Sequence, residues 1–487
     1  MPAKRAIYRA RWVLGFRDGG HRLIDNGEIA IEDSRIAYVG PRSVTPLADG
    51  VQVREFSEGI LLPGFISSHA HICSHVGDRM MADAGRLEMF SSGFLNYLPS
   101  GRDGASFLAP EDPCVGIRYA IGELLKSGIT TVVEMGGEVG GSTDAMVDIA
   151  GEMGIRAYIA PGFASAHYHF DEAGRLHYSW LPDEGEAQFE AACEAAIHNN
   201  GRYDDRIRGI LVPVEAVLTS RRMLRRTREA ATRLGLPITL HVAETIWEFH
   251  EVVRRESATP IGLLAEEGFL ANDVILGHCI FFGGHSQTSF PRVTDLEKVA
   301  ASGAHVSHSP VVFARRGIVM EGFRTYSEMG INITLGTDSY PQDMFNEMRF
   351  ASLLGKVQAR DFRAATAREV VNAATVNGAK AVGRSDIGRL AVGAKADLLV
   401  VDLGNYSFGP ILDPIKALVQ IGNAAHVNLV VVDGNVVVDK GRLTRVPEGG
   451  LLADVRATAK TVYERFSEYD YAGRDVRTFA VPAFPSW

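Results

Sequence analysis

The sequence predicts an α/β fold, a closed (β/α)8 TIM barrel carrying a small β-sandwich formed from both ends of the chain, and three observations predict it. Eight short apolar runs recur between Gly64 and Asp338, longer segments of helical periodicity separate them, and both ends of the chain read as strands and turns. The runs are GFISSHAH ending at His71, ITTVVEM (Ile129 to Met135), RAYIAPGF (Arg156 to Phe163), RIRGILVPV (Arg206 to Val214), PITLHVAE (Pro237 to Glu244), VILGHC (Val274 to Cys279), HVSHSP (His305 to Pro310) and NITLGTD (Asn332 to Asp338). Between them DPCVGIRYAIGELLKSG, TDAMVDIAGEMG, EAQFEAACEAAIHN, SRRMLRRTREAATRLG and DLEKVAASG carry helical periodicity and close on Gly or Asn, which end helices. AIYRARWVLGF, GEIAIEDSRIAYVG and VQVREF at the start, with ADLLVVDL and VNLVVVDGNVVVDKGRL near the end, supply the sandwich. The expected divisions are 1–62 plus 388–445 for the sandwich, 63–387 for the barrel and 446–487 for a C-terminal helix, LLADVRATAKTVYERF, with an aromatic tail. The irregular stretch from Cys73 to Pro113 is expected to lie over the active site as the loop after strand one.

Composition narrows the function classes. Of 487 residues 46% are hydrophobic and 22% charged, enough apolar mass for a large core and too much for disorder. The net charge of −9, with no basic block, argues against a nucleic-acid partner. No stretch approaches the roughly 20 apolar residues of a membrane span, and MPAKRAIYRARWVLGF lacks the apolar core of a signal peptide, so a soluble cytoplasmic protein is expected. Cys73, Cys114, Cys193 and Cys279 are scattered singly, which suits reduced thiols.

Barrel enzymes work at the C-terminal ends of their strands, where this chain concentrates one kind of chemistry. Strand one ends in His69-Ala70-His71, strand five carries His241 and Glu244, strand six ends in His278 and strand eight in Gly336-Thr337-Asp338. Residues i and i+2 of a strand share a face, so His69 and His71 can share one ion. A lone His-x-His is as readily a packed histidine pair, but its conjunction with His241 and Asp338 at two other strand ends points to a metal. A rival, a local structural zinc site on His69, His71, Cys73 and His75, fails on reach, since extended chain puts His69 and His75 roughly 20 Å apart. Cys73 then reads as a packed thiol, and His75 as a solvated loop histidine or a substrate contact. Glu244 is either a carboxylate at a helix N-terminus or a proton carrier beside a water activated by the ion. His278 can hydrogen-bond that water or a substrate oxygen, and Asp338 is either a helix cap or a metal ligand.

PGFISSHAH, HVAE, GHC and GTDS, framed by the N-terminal β-module and by IGRLAVGAKADLLVVD, resemble the amidohydrolase superfamily, in particular its cytosine deaminase-like, triazine hydrolase and S-adenosylhomocysteine deaminase branch. The resemblance runs from about Ala6 to Leu443. It implies a distorted (β/α)8 barrel with a small β-sandwich and one divalent metal ion per chain, zinc first and iron as the alternative. By motif the ligands would be His69, His71, His241 and Asp338, the proton shuttle Glu244, and the group that polarises substrate or holds the water His278. No lysine ends strand four, which favours a mononuclear site. Two loops depart from the adenosine-type pattern: VPVEAVLTS with Glu215 after strand four, and His308 to Arg316 after strand seven. A substrate other than adenosine is therefore expected, with His75, Glu215, Trp247, Phe281, His308 and Phe313 as its candidate contacts.

The leading function is hydrolysis that releases ammonia from a compact amino-substituted N-heterocycle. The same machinery acting on an amide, urea, alkylamino or chloro substituent comes second, and a catalytically silent scaffold comes last, since all six functional positions are filled. The expected partner is a small-molecule substrate, and a homodimer or larger homo-oligomer is the expected assembly.

Overall fold

A computed structural model describes residues 5–43, 51–73, 76, 79, 113–139, 141–170, 175–469, 473–479 and 481–485. Both ends of the chain meet in one eight-stranded sheet. Arg5–Arg17, Gly20–Glu32, Arg35–Pro41 and Gln52–Pro63 come from the first end, and Leu398–Asp402, Val427–Val432, Asn435–Asp439 and Arg442–Leu443 from the second. The seam is antiparallel, with Leu398 opposite Pro63 and Asp402 opposite Gly59. Alternation then divides the seam residues between two cores. Leu61, Leu398, Val400, Leu429 and Val431 pack with Val13 and Ile29, whereas Ile60, Leu62, Leu399, Val401 and Val430 turn onto the main core. The described strands therefore form one layer that serves two cores where two stacked layers were expected, because the seam strands are apolar on both faces.

The sheet is fastened to the rest of the molecule by a buried cation. Arg156 donates from Nε to Asp397 (2.6 Å) and from Nη2 to Asp433 (2.7 Å), with all three side chains almost fully buried. Arg156 opens the strand Arg156–Tyr158, so one guanidinium joins the chain-end sheet to the parallel strands.

The apolar runs do become parallel strands, but not one unbroken ring. Phe65–Ala70, Ile129–Glu134, Arg156–Tyr158 and Ile207–Arg208 form one four-stranded sheet, and Ile238–Val242, Val274–His278, His305–His308 and Asn332–Leu335 another. Gly162–Phe163 and Val212–Pro213 pair separately. The third and fourth runs each split in two. Pro161 removes a ladder donor from the third, and in the fourth Gly209 is pressed so close to Ala196 that a Cβ there would lie 2.0 Å from its carbonyl oxygen. The closed sheet predicted from the sequence is thus corrected to three parallel pieces, which isolated bridges join at Ala70 to Asp338, Leu211 to Ile238 and Glu215 to His241.

The helices follow their sequence signals. Pro113–Lys126, Asp144–Met153, Glu186–Asn199, Arg221–Leu234 and Asp295–Ser302 occupy the expected intervals, with Gly154, Gly235 and Gly303 left-handed at three of the ends. The last long helix, Glu448–Glu464, buries Val455 and Val462 beside Tyr119, and Lys126 Nζ donates to Glu448 at 2.7 Å. Among the described residues, no helix is long and apolar enough to cross a membrane, and all four cysteines are free.

Candidate metal centre

Every residue of the strand Phe65–Ala70 is buried, and its end is stitched directly to the end of the last parallel strand. The His71 N–H donates to the Asp338 carbonyl (2.9 Å), and the Asp338 N–H to the His69 carbonyl (3.0 Å). Two glycines permit this approach. A Cβ at Gly336 would sit 2.6 Å from His69 Cβ, and one at Gly277 would sit 2.6 Å from His69 Nδ1. The glycines of GTDS and GHC leave the room that the His69 ring fills. Just beyond the strands, Ala243, Cys279 and Asp338 hold φ of +51°, +54° and +54°, a strained state that recurs where side chains must be aimed.

The donor atoms converge. Ring nitrogens of His69, His241 and His278 lie within 4.8 Å of one another, as do donor atoms of His69, His71 and Asp338. His71 Nε2 is 3.2 Å from His241 Nε2 and 3.8 Å from Asp338 Oδ1, and His278 Nε2 is 3.3 Å from Asp338 Oδ2. His241 Nδ1 stands 2.7 Å from the Val214 carbonyl. A carbonyl only accepts, so the proton sits on Nδ1 and the Nε2 lone pair faces the cluster, the arrangement of a metal-bound histidine. Both ring nitrogens of His69 are buried without a hydrogen-bond partner, which a merely packed histidine would not tolerate. Three imidazoles and a carboxylate are the donors that zinc or iron takes, and the residues fit such an ion.

Electrostatics agree. Burial holds His69 and His278 well below the usual imidazole range, His241 below it and His71 down to about 3, so the rings are neutral donors. Burial pushes Asp338 up to about 6, with Glu244 adding to the rise. Burial raises Glu244 to about 7 while Arg316 opposes it, and Arg316 Nη1 lies 3.7 Å from Glu244 Oε1. A carboxyl near 7 can both take and give a proton at neutral pH. Its backbone is anchored by Glu248, fully buried, which accepts from the Ala243 N–H (2.9 Å) and the Glu244 N–H (2.7 Å).

The candidate substrate contacts divide. Glu215 is buried next to His241 on the bridge between strands, with Oε1 unpartnered and its carboxyl raised well above the usual range by burial, then by Glu248 and Glu244. Trp247 is half-buried and stacks on Tyr178, centroids 5.8 Å apart and planes 3° from parallel. Phe313 meets His278 edge-on at 4.6 Å. His308 ends its strand, buried, with Nδ1 unpartnered and its pKa pushed down to about 3 by burial. Packing accounts for Phe281, which is enclosed with Phe249, Ile280, Val312 and Phe313 and meets His285 at 4.8 Å. His75 lies outside the described residues, as does most of Cys73 to Pro113.

Four further charged residues border the site, and none has an individual role that its place in the sequence assigns. Arg315 and Arg316 follow the helix Pro310–Ala314, Glu248 sits under Glu244, and Glu134 accepts from the Ile72 N–H at 2.9 Å, fixing the chain just past His71. Only Glu248 had a local signal, because Thr245-Ile246-Trp247-Glu248 has the form of a capping box. Its side chain passes over the cap to the residues before it.

Residues 60–437 match the Amidohydrolase family. The chain is 27% identical over 446 residues to a 5'-deoxyadenosine deaminase of Methanosarcina acetivorans, covering 91% of this chain and 95% of that one. It is 29% identical over 452 residues to a 5-methylthioadenosine/S-adenosylhomocysteine deaminase of Nitratidesulfovibrio vulgaris Hildenborough, covering 90% and 93%. Among solved structures, an adenosine deaminase from Xanthomonas campestris with bound zinc superposes with a TM-score of 0.77 at 21% identity, covering 94% of this chain and 98% of that one. An atrazine chlorohydrolase from Arthrobacter aurescens TC1 complexed with zinc gives 0.75 at 20%, covering 93% and 100%. At these identities the two superpositions speak to the fold alone.

Proposed function

For a chain that belongs to the amidohydrolase family, we propose hydrolytic deamination of a compact amino-substituted N-heterocycle at a site holding one divalent ion, zinc in the first place. The observation that carries this reading is the pair of donor groups that share His69, one with His241 and His278 and one with His71 and Asp338, which the 3.2 Å approach of His71 Nε2 to His241 Nε2 brings together. The bridge from Ala70 to Asp338 supports reading the three parallel pieces as one distorted (β/α)8 barrel with the site at its mouth. In this reading His69, His71, His241 and Asp338 hold the ion and Glu134 steadies the chain that carries His71. Bound there, the ion would acidify water enough to supply hydroxide near neutral pH.

The protein's own groups do the rest. Glu244 takes the water's proton and passes it to the departing nitrogen, which is a poor leaving group until protonated. Glu248 keeps Glu244 on station through two backbone hydrogen bonds. His278, backed by Phe313, hydrogen-bonds the oxygen added at the ring carbon. The deaminase names of the relatives support an amine as leaving group, while Glu215 and the His308 to Arg316 loop favour a substrate other than adenosine. A second reading, loss of chloride, an alkylamine or an amide or urea nitrogen, keeps the same groups, and the name of the atrazine chlorohydrolase keeps it in play.

Incubating the metal-loaded protein with aminopyrimidines, purines, pterins, aminotriazines and aryl ureas tests the choice. Ammonia release from an aminoheterocycle is expected. No ammonia from any of them, alongside turnover of an amide, urea or chlorinated ring, would replace the first reading with the second.

A further inference from the structure

The loop after the strand His305–His308 carries a group that the proposed reaction leaves idle. The helix Pro310–Ala314 ends at Arg315, whose Nε, Nη1 and Nη2 are all buried without a hydrogen-bond partner. A guanidinium presents five N–H donors and a charge it cannot shed, and burying it unpaired is expensive. Among the described residues no acceptor meets it, which leaves the fork open to one that a ligand brings. Glu347 is a buried carboxyl that the Arg315 charge reaches, opposing the rise that burial causes. Its Oε2 accepts from the Val311 N–H at 3.2 Å, and its Oε1 makes no hydrogen bond to Arg315.

The position of Arg315 says what it could meet. Its guanidinium lies 4.2 Å from the Tyr340 ring centroid, which leaves the edge of the fork free to point, and Tyr340 is two residues past Asp338. The Arg315 charge reaches Asp338, and Arg316 stands 3.7 Å from Glu244. Two consecutive guanidinium groups thus face the cluster, Arg316 against Glu244 and Arg315 over the Tyr340 ring, and both charges reach Asp338. Arg316 is held by a carboxyl of the site, and Arg315 is not.

We propose that Arg315 recognises a carboxylate on the substrate, so that the heterocycle turned over is an anionic one whose carboxylate meets the guanidinium fork while its ring lies over the metal centre. Fork and carboxylate match in plane and spacing, which a point charge would not require. The inference rests on the metal-dependent hydrolase reading and names its substrate class.

Calorimetric titration of the full-length, metal-loaded protein tests it, using ring pairs that differ by one carboxylate: uracil with orotate, and pterin with pterin-6-carboxylate. At least one carboxylated ring is expected to bind about 10-fold or more tightly than its parent. In Arg315→Gln that preference should fall to about twofold or less while the affinity for the parent ring is unchanged. Arg315→Lys should retain part of it, because charge remains and the fork is lost. A wild type that prefers no carboxylated ring, or a preference that survives Arg315→Gln, overturns the proposal. Should Arg315→Gln show no cooperative melt, Arg315→Lys decides, a reduced preference supporting the proposal and an unchanged one overturning it. Binding needs no turnover, so a protein that prefers carboxylated rings but releases no ammonia would count against the deamination reading alone.

Discussion

Two walls of the candidate site are built differently. The wall of His69, His71, His241, His278 and Asp338 stands on strand ends joined by backbone hydrogen bonds, with two glycines shaped around one imidazole. The wall of Glu215, Trp247, Arg315 and Arg316 stands beside a short 3-10 turn, on a helix start and on the residues after a five-residue helix. The first is fixed by the main chain and can be held to the tolerance an ion requires, whereas the second is fixed by side chains and can vary with the substrate.

The largest break in that comparison should come from the first wall. His69→Ala removes a buried donor around which Gly277 and Gly336 are shaped, so both bound metal and activity should fall below detection by elemental analysis and rate assay. Next comes Glu244→Gln, which leaves the donor set untouched. kcat should fall by about 10² to 10⁴ with metal content unchanged, the range for losing a general acid-base. A variant with undiminished kcat would reduce Glu244 to a helix-end carboxylate.

A smaller effect is expected from a residue that touches neither substrate nor ion. Gly277→Ala puts a methyl group 2.6 Å from His69 Nδ1, and the ring must turn to admit it. Metal affinity should drop by about 10- to 100-fold, as when the support of a ligand is lost, with the thermal melt still cooperative. Unchanged affinity would mean that the His69 ring moves without cost.

These expectations also mark where the sequence was readable. The first wall was legible because strands repeat every two residues and barrel strands end at one face, so His69, His71, His241, His278 and Asp338 could be placed from order alone. The short strands of the third and fourth runs were not, since their interruptions at Pro161 and Gly209 depend on contacts with distant segments such as Ala196. The single seam sheet was hidden for a related reason, because apolar residues on both faces of a strand do not say how many layers they serve. Arg315 and Arg316 entered only as the end of the loop from His308, because it is the folded loop that brings their charges to Asp338 and Glu244.

The smallest effect lies outside both walls, where Arg156 clamps Asp397 and Asp433. Arg156 and Lys395 hold the Asp433 carboxyl below its usual range against the opposing effect of burial. A depressed folded pKa stabilises the protein above the unfolded value of about 3.9 and ceases to do so as the pH falls through the folded value. Asp433→Asn should therefore melt a few degrees below the wild type at pH 7, and the gap should narrow as the pH is lowered below about 4. A gap independent of pH would assign the loss to packing instead of charge.

The most direct test of the central claim is the number of divalent ions per chain in purified protein, measured beside its Glu244→Gln variant. About one ion per chain in both is predicted, since three imidazoles and one carboxylate complete a mononuclear site to which Glu244 contributes no bond. Two tightly held ions in the wild type, or a Glu244→Gln variant that has lost its metal, would contradict the account.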